Sequence, residues 1–310
     1  MFLTKTNDVA GHGVYPGARP IEELLRNGII ILDKWSGPTS HDVAATVKKT
    51  LGLSKVGHGG TLDPMVTGVL TVTLENACKV IPALQHLDKE YIGVMRLHKD
   101  VERKELDSAV SKFIGKIKQM PPKRSAVARK ERERTVHSLD IIEVDGRDVL
   151  FKINCEAGTY VRVVCHDIGK MIGGANMSEL RRTKTGRFTE EQSVKMEDLA
   201  DAYAEWKENG SEEIRDYVLP VEAAIEHLPK IIVKDNAVYS IANGSPVYTP
   251  AISKISDDVA KGALTAIISL RGELVALAYA DMDAREALAR KGIAAKTDRV
   301  IINKGLYKSQ

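Results

Sequence analysis

The sequence predicts an α+β protein in two parts, a larger N-terminal domain and a small C-terminal β-barrel or sandwich. Three observations predict it. Up to residue 228, strand-like runs such as "IIILD" (29–33) and "YIGVMRLH" (91–98) are interleaved with amphipathic stretches such as "TSHDVAATVKKTLG" and "KMEDLADAYAEWKENG". Beyond Leu228-Pro229 come short β-rich pieces split by turns, about 80 residues in all, which suits a small barrel. The chain's 310 residues, 43% hydrophobic and 28% charged, suit two globular domains with a sizeable core. The expected units are an extension over 1–19 packed on the C-terminal domain, a domain over 20–228, and a domain over 229–310.

The elements follow in order. "PIEELLRNG" predicts a short helix, with Pro20 in its first turn and Gly28 after its end. "IIILD" is a short apolar strand. "TSHDVAATVKKTLG" offers a capping Ser or Thr, then Val43, Val47 and Leu51 at helical spacing, then a glycine stop. "LTVTLE" alternates Leu70, Val72 and Leu74 with threonines, the pattern of a half-buried strand. Tyr91 opens the next strand, at an edge and beside charge, and residues 103–114 read as a helix. "TVHSLDIIEVDGRDVLFKINCE" reads as a hairpin turning at Asp145-Gly146. "TYVRVVCHDIGKMIG" and "SELRRTKTG" both read as helices, the second short and basic at its end.

The totals narrow the function. Net charge is +3, so the arrangement of charge matters more than its sum. Cys78, Cys155 and Cys165 have no CxxC spacing and are odd in number, which disfavours a disulfide framework and fits a reducing cytoplasm. The first residues lack an apolar signal core, and no apolar run reaches membrane-spanning length.

Candidate chemistry centres on "HGGTLDP" (58–64). Its glycines permit backbone shapes that other residues resist, and Pro64 keeps Asp63 out of a helix. By residue type alone Asp63 is a turn aspartate bonding its own backbone. The glycine-rich approach raises the functional alternative, a lone carboxylate that attacks a carbon or moves a proton. His58 is a base or an orienting group, with no partner at metal-ligand spacing. The Tyr91 ring could stack on a base. Arg162, at a helix start, is either a surface residue or an inward partner for a carboxylate; a buried Asp–Arg pair keeps the acid ionised.

Two basic clusters point to a polyanion. Residues 116–134 carry eight Lys or Arg against two Glu, including Lys123, Arg124, Arg129 and Lys130, and read as a cationic flap. "ELRRTKTGR" (179–187) adds four positive residues, among them Arg181 and Arg182. With the small terminal barrel, these make RNA the leading partner.

At this point a family resemblance enters. "GHGGTLDPMVTGVL", "DKEYIGVMRLH", "PPKRSAVARK", "CEAGTYVRVVCHDIG" and "ELRRTKTG" resemble, in order, the motifs of TruB-type pseudouridine synthases. "YPGARPIEELLRNGIIILDKWSGPTSHDV" and the tail from Leu228 resemble the archaeal dyskerin branch, whose members are catalytic subunits of box H/ACA guide ribonucleoproteins. The resemblance implies a catalytic domain built on a mixed, mainly antiparallel sheet flanked by helices, and a C-terminal PUA domain. It implies isomerisation of uridine to pseudouridine in rRNA or tRNA, without cofactor or metal. Asp63 matches the catalytic aspartate. Tyr91 would stack on the flipped uracil, Arg162 would pair with Asp63, and His58 would contact the target backbone. Leu180 would line the pocket. Lys34, in "LDKWSG", matches the first motif; it is counted with the substrate-binding residues and expected to support the active-site loop.

Implied partners are a box H/ACA guide RNA, a small zinc-ribbon subunit, a small β-barrel subunit and a kink-turn-binding protein. An archaeal-type, cytoplasmic protein is expected. Direct action on the TΨC arm of tRNA, and a non-catalytic RNA scaffold, are the alternatives. Trp35, Val161 and Ala251 depart from the usual family residues; Trp35 bears on a local turn and Ala251 on a contact with the ACA end.

Overall fold

The computed structural model of the chain describes residues 1–121, 130–303, 305 and 307. Among these, the strands form one sheet of ten strands and one of seven. Strand β1 (Phe2–Thr4) and helix α1 (Ile21–Arg26) precede β2 (Gly28–Lys34). Helix α2 (Ser40–Thr50) starts at Thr39, whose hydroxyl accepts from the Asp42 amide at 3.1 Å while Asp42 accepts from the Thr39 amide at 3.0 Å. This reciprocal cap satisfies two amides that a helix start leaves without partners.

Strands β3 (Val56–His58) and β4 (Thr67–Leu74) flank the HGGTLDP loop. β4 is not half-buried as its alternation predicts: seven of its eight residues are buried. The reason is that both faces are covered. Leu70, Val72 and Leu74 pack with α1 and α2, while Val69 joins Ile29, Ile31 and residues of the C-terminal domain such as Ala266 and Leu277.

Helix α3 (Ile81–Gln85), strand β5 (Lys89–Leu97), helix α4 (Arg103–Ser111) and strand β6 (Gly115–Gln119) come next. β7 (Arg132–Asp145) and β8 (Asp148–Cys155) form the expected hairpin, with Asp145 opposite Asp148 and Gly146 at φ +55. Helix α5 (Val161–Ile172) ends on Gly173 in the left-handed region. The next segment corrects an expectation: "SELRRTKTG" is not a helix but most of β9 (Ala175–Thr185). Pairing with β5 along the strand outweighs its weak local preference. β10 (Phe188–Thr189), α6 (Met196–Asn209) and β11 (Leu219–Pro220) complete this part.

The large sheet runs β11-β2-β4-β9-β5-β8-β7-β6. β5 lies between β9 and β8, so Tyr91 sits in the sheet interior, 8% exposed, rather than at an edge. The sheet consists of two antiparallel runs joined by one short parallel contact, Thr67 and Gly68 of β4 beside Arg181 and Arg182 of β9. Gly68 has φ +99, and a Cβ there would lie 2.2 Å from the Arg182 carbonyl oxygen, so only glycine allows this join.

The C-terminal part holds β12 (Lys230–Val233), α7 (Asp235–Ala242), β13 (Val247–Tyr248), β14 (Ile252–Ser256), β15 (Leu264–Ile268), β16 (Leu274–Ala280), α8 (Ala284–Ala289) and β17 (Ile293–Val300). The sequence reading found this part β-rich but missed β14, most of β17 and both helices. β1 pairs antiparallel with β14, and Asp235 accepts from the Gly11 and His12 amides at 2.7 and 3.0 Å. The two parts meet at a buried pair. Arg19 donates twice to Glu222, at 2.8 and 2.7 Å, and Glu222 accepts from the Leu274 amide at 2.8 Å.

Candidate active site

Asp63 lies in the loop between β3 and β4, and the backbone on either side of it is clamped. Ser40 Oγ, inside α2, donates to the Leu62 carbonyl at 3.2 Å and accepts from the Leu62 amide at 2.8 Å. On the other side, Lys34 Nζ donates to the carbonyls of Trp35, Pro64 and Val66 at 2.9, 2.8 and 2.9 Å. Lys34 is 0% exposed, and these acceptors occupy all three of its protons. It therefore supports the loop and does not face a substrate, which corrects its inclusion among the binding residues. Gly59 also departs from expectation. Its φ is not positive; what it supplies is space, since a Cβ there would lie 2.9 Å from Leu84.

Arg162 is the second residue of α5, and its Nη1 donates to Asp63 Oδ2. The pair is half-exposed rather than buried, with side chains 35% and 41% exposed. The Tyr160 ring lies 5.8 Å from the guanidinium carbon. Gln119, at the end of β6, bonds both the amide and the carbonyl of Tyr160, at 3.0 and 3.2 Å.

The pair opens onto a cleft of about 620 Å³, lined among others by His58, Tyr91, Leu180 and Arg182. A space of this size matches ligand sites, which are roughly 300–1,000 Å³. The cleft crosses the join between the two sheet halves: His58 and Asp63 come from the β4 side, Tyr91, Arg162, Leu180 and Arg182 from the β9 side. Burial pushes His58 below its ordinary value, with Arg182 and His41 adding to the effect, so it is neutral at neutral pH. Its Nδ1 is buried with no hydrogen-bond partner among the described residues. Burial pushes the Tyr91 hydroxyl up, and the Arg182 guanidinium bonded to it opposes that shift.

The basic residues separate. Arg182 is 2% exposed and points under the cleft, so it does not extend a surface cluster. Arg181, its neighbour on the opposite face of β9, binds Asp33 at 2.9 and 3.1 Å and Glu190 at 2.7 Å. Arg182 thus differs from the RNA-facing cation expected of it, while Arg181 keeps 36% of its side chain exposed. Lys130 is exposed. Lys123, Arg124 and Arg129 lie outside the described residues.

Sequence reasoning also passed over Lys89. Its side chain lines the cleft, and its ammonium donates to the Gln85 carbonyl at 3.0 Å and to that of Leu87. Burial lowers it to about 8. The signal was available: two residues before Tyr91 in a strand is the same face.

Family models cover almost the whole chain. A TruB family pseudouridylate synthase N-terminal domain matches residues 48–106 and 98–161, and a tRNA pseudouridylate synthase B C-terminal domain matches 162–226. A PUA domain matches 229–301, and a DKCLD domain 3–44. A "Probable tRNA pseudouridine synthase B" of Methanopyrus kandleri is 50% identical over 96% of this chain and 88% of its own length. The chain belongs to the TruB family of pseudouridylate synthases. It is a pseudouridine synthase, an isomerase.

A second relative of this synthase, from Methanosarcina barkeri, carries the same name and is 48% identical over 96% of the chain and 88% of its own. Among solved structures, one of a Cbf5-Nop10-Gar1 complex has a TM-score of 0.93 at 46% identity, covering 99% of this chain and 95% of that one. A structure of an H/ACA RNP bound to a substrate RNA containing 2′-deoxyuridine has a TM-score of 0.92 at 43% identity, covering 100% and 96%. The expected architecture stands: a mixed, mainly antiparallel sheet with helices, followed by a PUA domain. Among the described residues, no helix of the synthase is long and apolar enough to cross a membrane.

Proposed function

We propose that this synthase converts uridine to pseudouridine at Asp63, within RNA chosen by a box H/ACA guide. The observation that carries the reading is the Asp63–Arg162 pair, opening onto a nucleotide-sized cleft with Tyr91 in its wall. The target nucleotide leaves its stack and enters the cleft, at a cost of a few kcal/mol. Tyr91 offers a ring face to the uracil and Leu180 an apolar wall. Arg162 holds the Asp63 carboxylate in place, and His58 meets the target strand. The base leaves the ribose through nitrogen and rejoins through carbon. No oxidation state changes and no water is consumed, so the chemistry asks for no cofactor.

In this reading residues 20–228 form the catalytic domain. The PUA domain over 229–310, with 1–19 packed on it, grips the guide RNA, largely by shape and phosphates. The basic segment with Lys123, Arg124, Arg129 and Lys130 meets the phosphate backbone. Relatives solved with Nop10, with Gar1 and in an H/ACA RNP support protein partners of the same kinds, to which we add a kink-turn-binding protein. Three buried free cysteines suit a reducing cytoplasm. A second reading, action on tRNA without a guide, is favoured by the relatives' name, tRNA pseudouridine synthase B.

Asp63→Asn separates an enzyme from a scaffold. The variant should bind RNA as the parent does and form no pseudouridine, on a tRNA transcript or in the assembled guide particle. Equal turnover would overturn the role of Asp63. Turnover of the transcript by the parent chain alone decides between the two readings.

A further inference from the structure

A buried guanidinium without a counter-charge is costly, because its desolvation is not repaid by an ion pair. Arg182 is such a group. Its Nε donates to the Val69 carbonyl at 2.6 Å and its Nη2 to the Gly60 carbonyl at 3.3 Å. Its other polar partner is the Tyr91 hydroxyl. Among the described residues no carboxylate balances it. The titratable groups that feel its charge are Lys34 of β2, His58 of β3, and Lys89 and Tyr91 of β5. Arg162 and Arg181, by contrast, are each held by carboxylates. Two carbonyl acceptors do not explain the charge, since a neutral amide donates to carbonyls as well.

We propose that Arg182 is a fixed positive charge beneath the uracil, there to stabilise the negative charge that the ring carries while it is detached from, or activated toward leaving, the ribose. The inference rests on the reading of the cleft as the uridine site. When the C1′–N1 bond breaks, its electron pair moves onto the ring. The ring turns, the pair forms the C1′–C5 bond, C5 loses a proton and N1 gains one, so composition is unchanged. Attack by Asp63 on the ribose, or removal of a sugar proton, expels the ring as an anion. Attack on the ring makes an enolate. Every route places negative charge over Tyr91 and Arg182. A preorganised charge that is itself shielded from water, as Arg182 is, acts strongly there, since nothing has to reorient as the charge develops.

The test uses the full chain with Arg182→Gln, Arg182→Lys and Asp63→Asn. Single-turnover pseudouridine formation and RNA affinity are measured from about pH 6 to about pH 9, and each rate is divided by the parent's at the same pH. That ratio removes the pH dependence of groups that Arg182 does not reach, and Arg182→Gln serves as the reference for the shifts that losing its charge causes in His58, Lys89 and Tyr91. Arg182→Gln keeps a donor and loses the charge; it should be slower by about 100-fold at neutral pH, with RNA affinity unchanged. A lysine in this pocket releases its proton readily, as Lys89 does at about 8. Arg182→Lys should therefore be more active than Arg182→Gln at low pH and fall to its level as pH rises. Parental turnover by Arg182→Gln, or a flat ratio for Arg182→Lys, overturns the inference. Should Arg182→Gln fail to fold, the Arg182→Lys ratio alone decides. Turnover by Asp63→Asn is a different failure: it removes the reading of the site itself.

Discussion

Gln119 and Tyr160 exchange two hydrogen bonds across 41 residues, the Gln119 amide donating to the Tyr160 carbonyl at 3.2 Å and accepting from the Tyr160 amide at 3.0 Å. Gln119 is 3% exposed and closes β6; Tyr160 immediately precedes α5. Arg162 follows two residues later, so this amide sets where its guanidinium aims. Gln119→Leu should lower turnover by about 10- to 100-fold through misplacement of Arg162, with little change in RNA affinity. Turnover and RNA binding measured side by side check it. Equal losses in both would show that Gln119 serves the fold and not the aim of Arg162.

Lys34→Met tests the clamp on the Asp63 loop. The substitution leaves three carbonyls short of a donor, and it also removes a charge whose burial is unfavourable. The expected net loss is about 1–3 kcal/mol, read from chemical denaturation. Activity should fall even at temperatures where the variant is fully folded. A variant as stable and as active as the parent would remove Lys34 from the account.

Lys89 makes a prediction about pH. It holds its proton less tightly when folded, at about 8, than when unfolded, near 10.5. Below about 8 both states are charged and the burial penalty is felt in full. Above 10.5 both are neutral and it vanishes. The parent should thus gain stability as pH rises through this window, relative to Lys89→Met. Thermal midpoints of both proteins across the window check it. A constant difference between them would contradict the shift.

Replacing Lys123, Arg124 and Arg129 with alanine should weaken RNA binding and flatten its salt dependence. Every phosphate that goes unneutralised takes about 0.7–0.9 off the slope of log affinity against log salt. Binding titrations at several salt concentrations measure this. An unchanged slope would place these cations away from the phosphates.

How much was legible follows from how each residue acts. The hairpin at Asp145-Gly146 and the helix capped by Thr39 are local events, written in neighbouring residues, and they read correctly. The meeting of Asp63 with Arg162 spans 99 residues; the residues alone left Arg162 either at the surface or beside a carboxylate, and the family resemblance chose between them. "ELRRTKTG" misread as a helix because its charges mask a two-residue period. On a strand, Arg181 and Arg182 point to opposite faces. One is tied to Asp33 and Glu190, the other is sealed beneath the cleft. A sum of positive charges could not separate them. Lys34 was placed beside its loop but not given its direction, because the acceptors are backbone carbonyls and leave no mark in side-chain sequence. The helices α7 and α8 are eight and six residues long, too short for a clear period among strands.

The parallel pairing of Thr67 and Gly68 with Arg181 and Arg182 is the short ladder between two antiparallel blocks, reinforced where Arg181 reaches Asp33 and Arg182 reaches the Val69 carbonyl. Acid and guanidinium stand on opposite sides of it. A slip of one block against the other by a single rung would part them while leaving every strand in each block paired. Competence to isomerise therefore depends on the register of this one ladder as well as on the residues that it brings together.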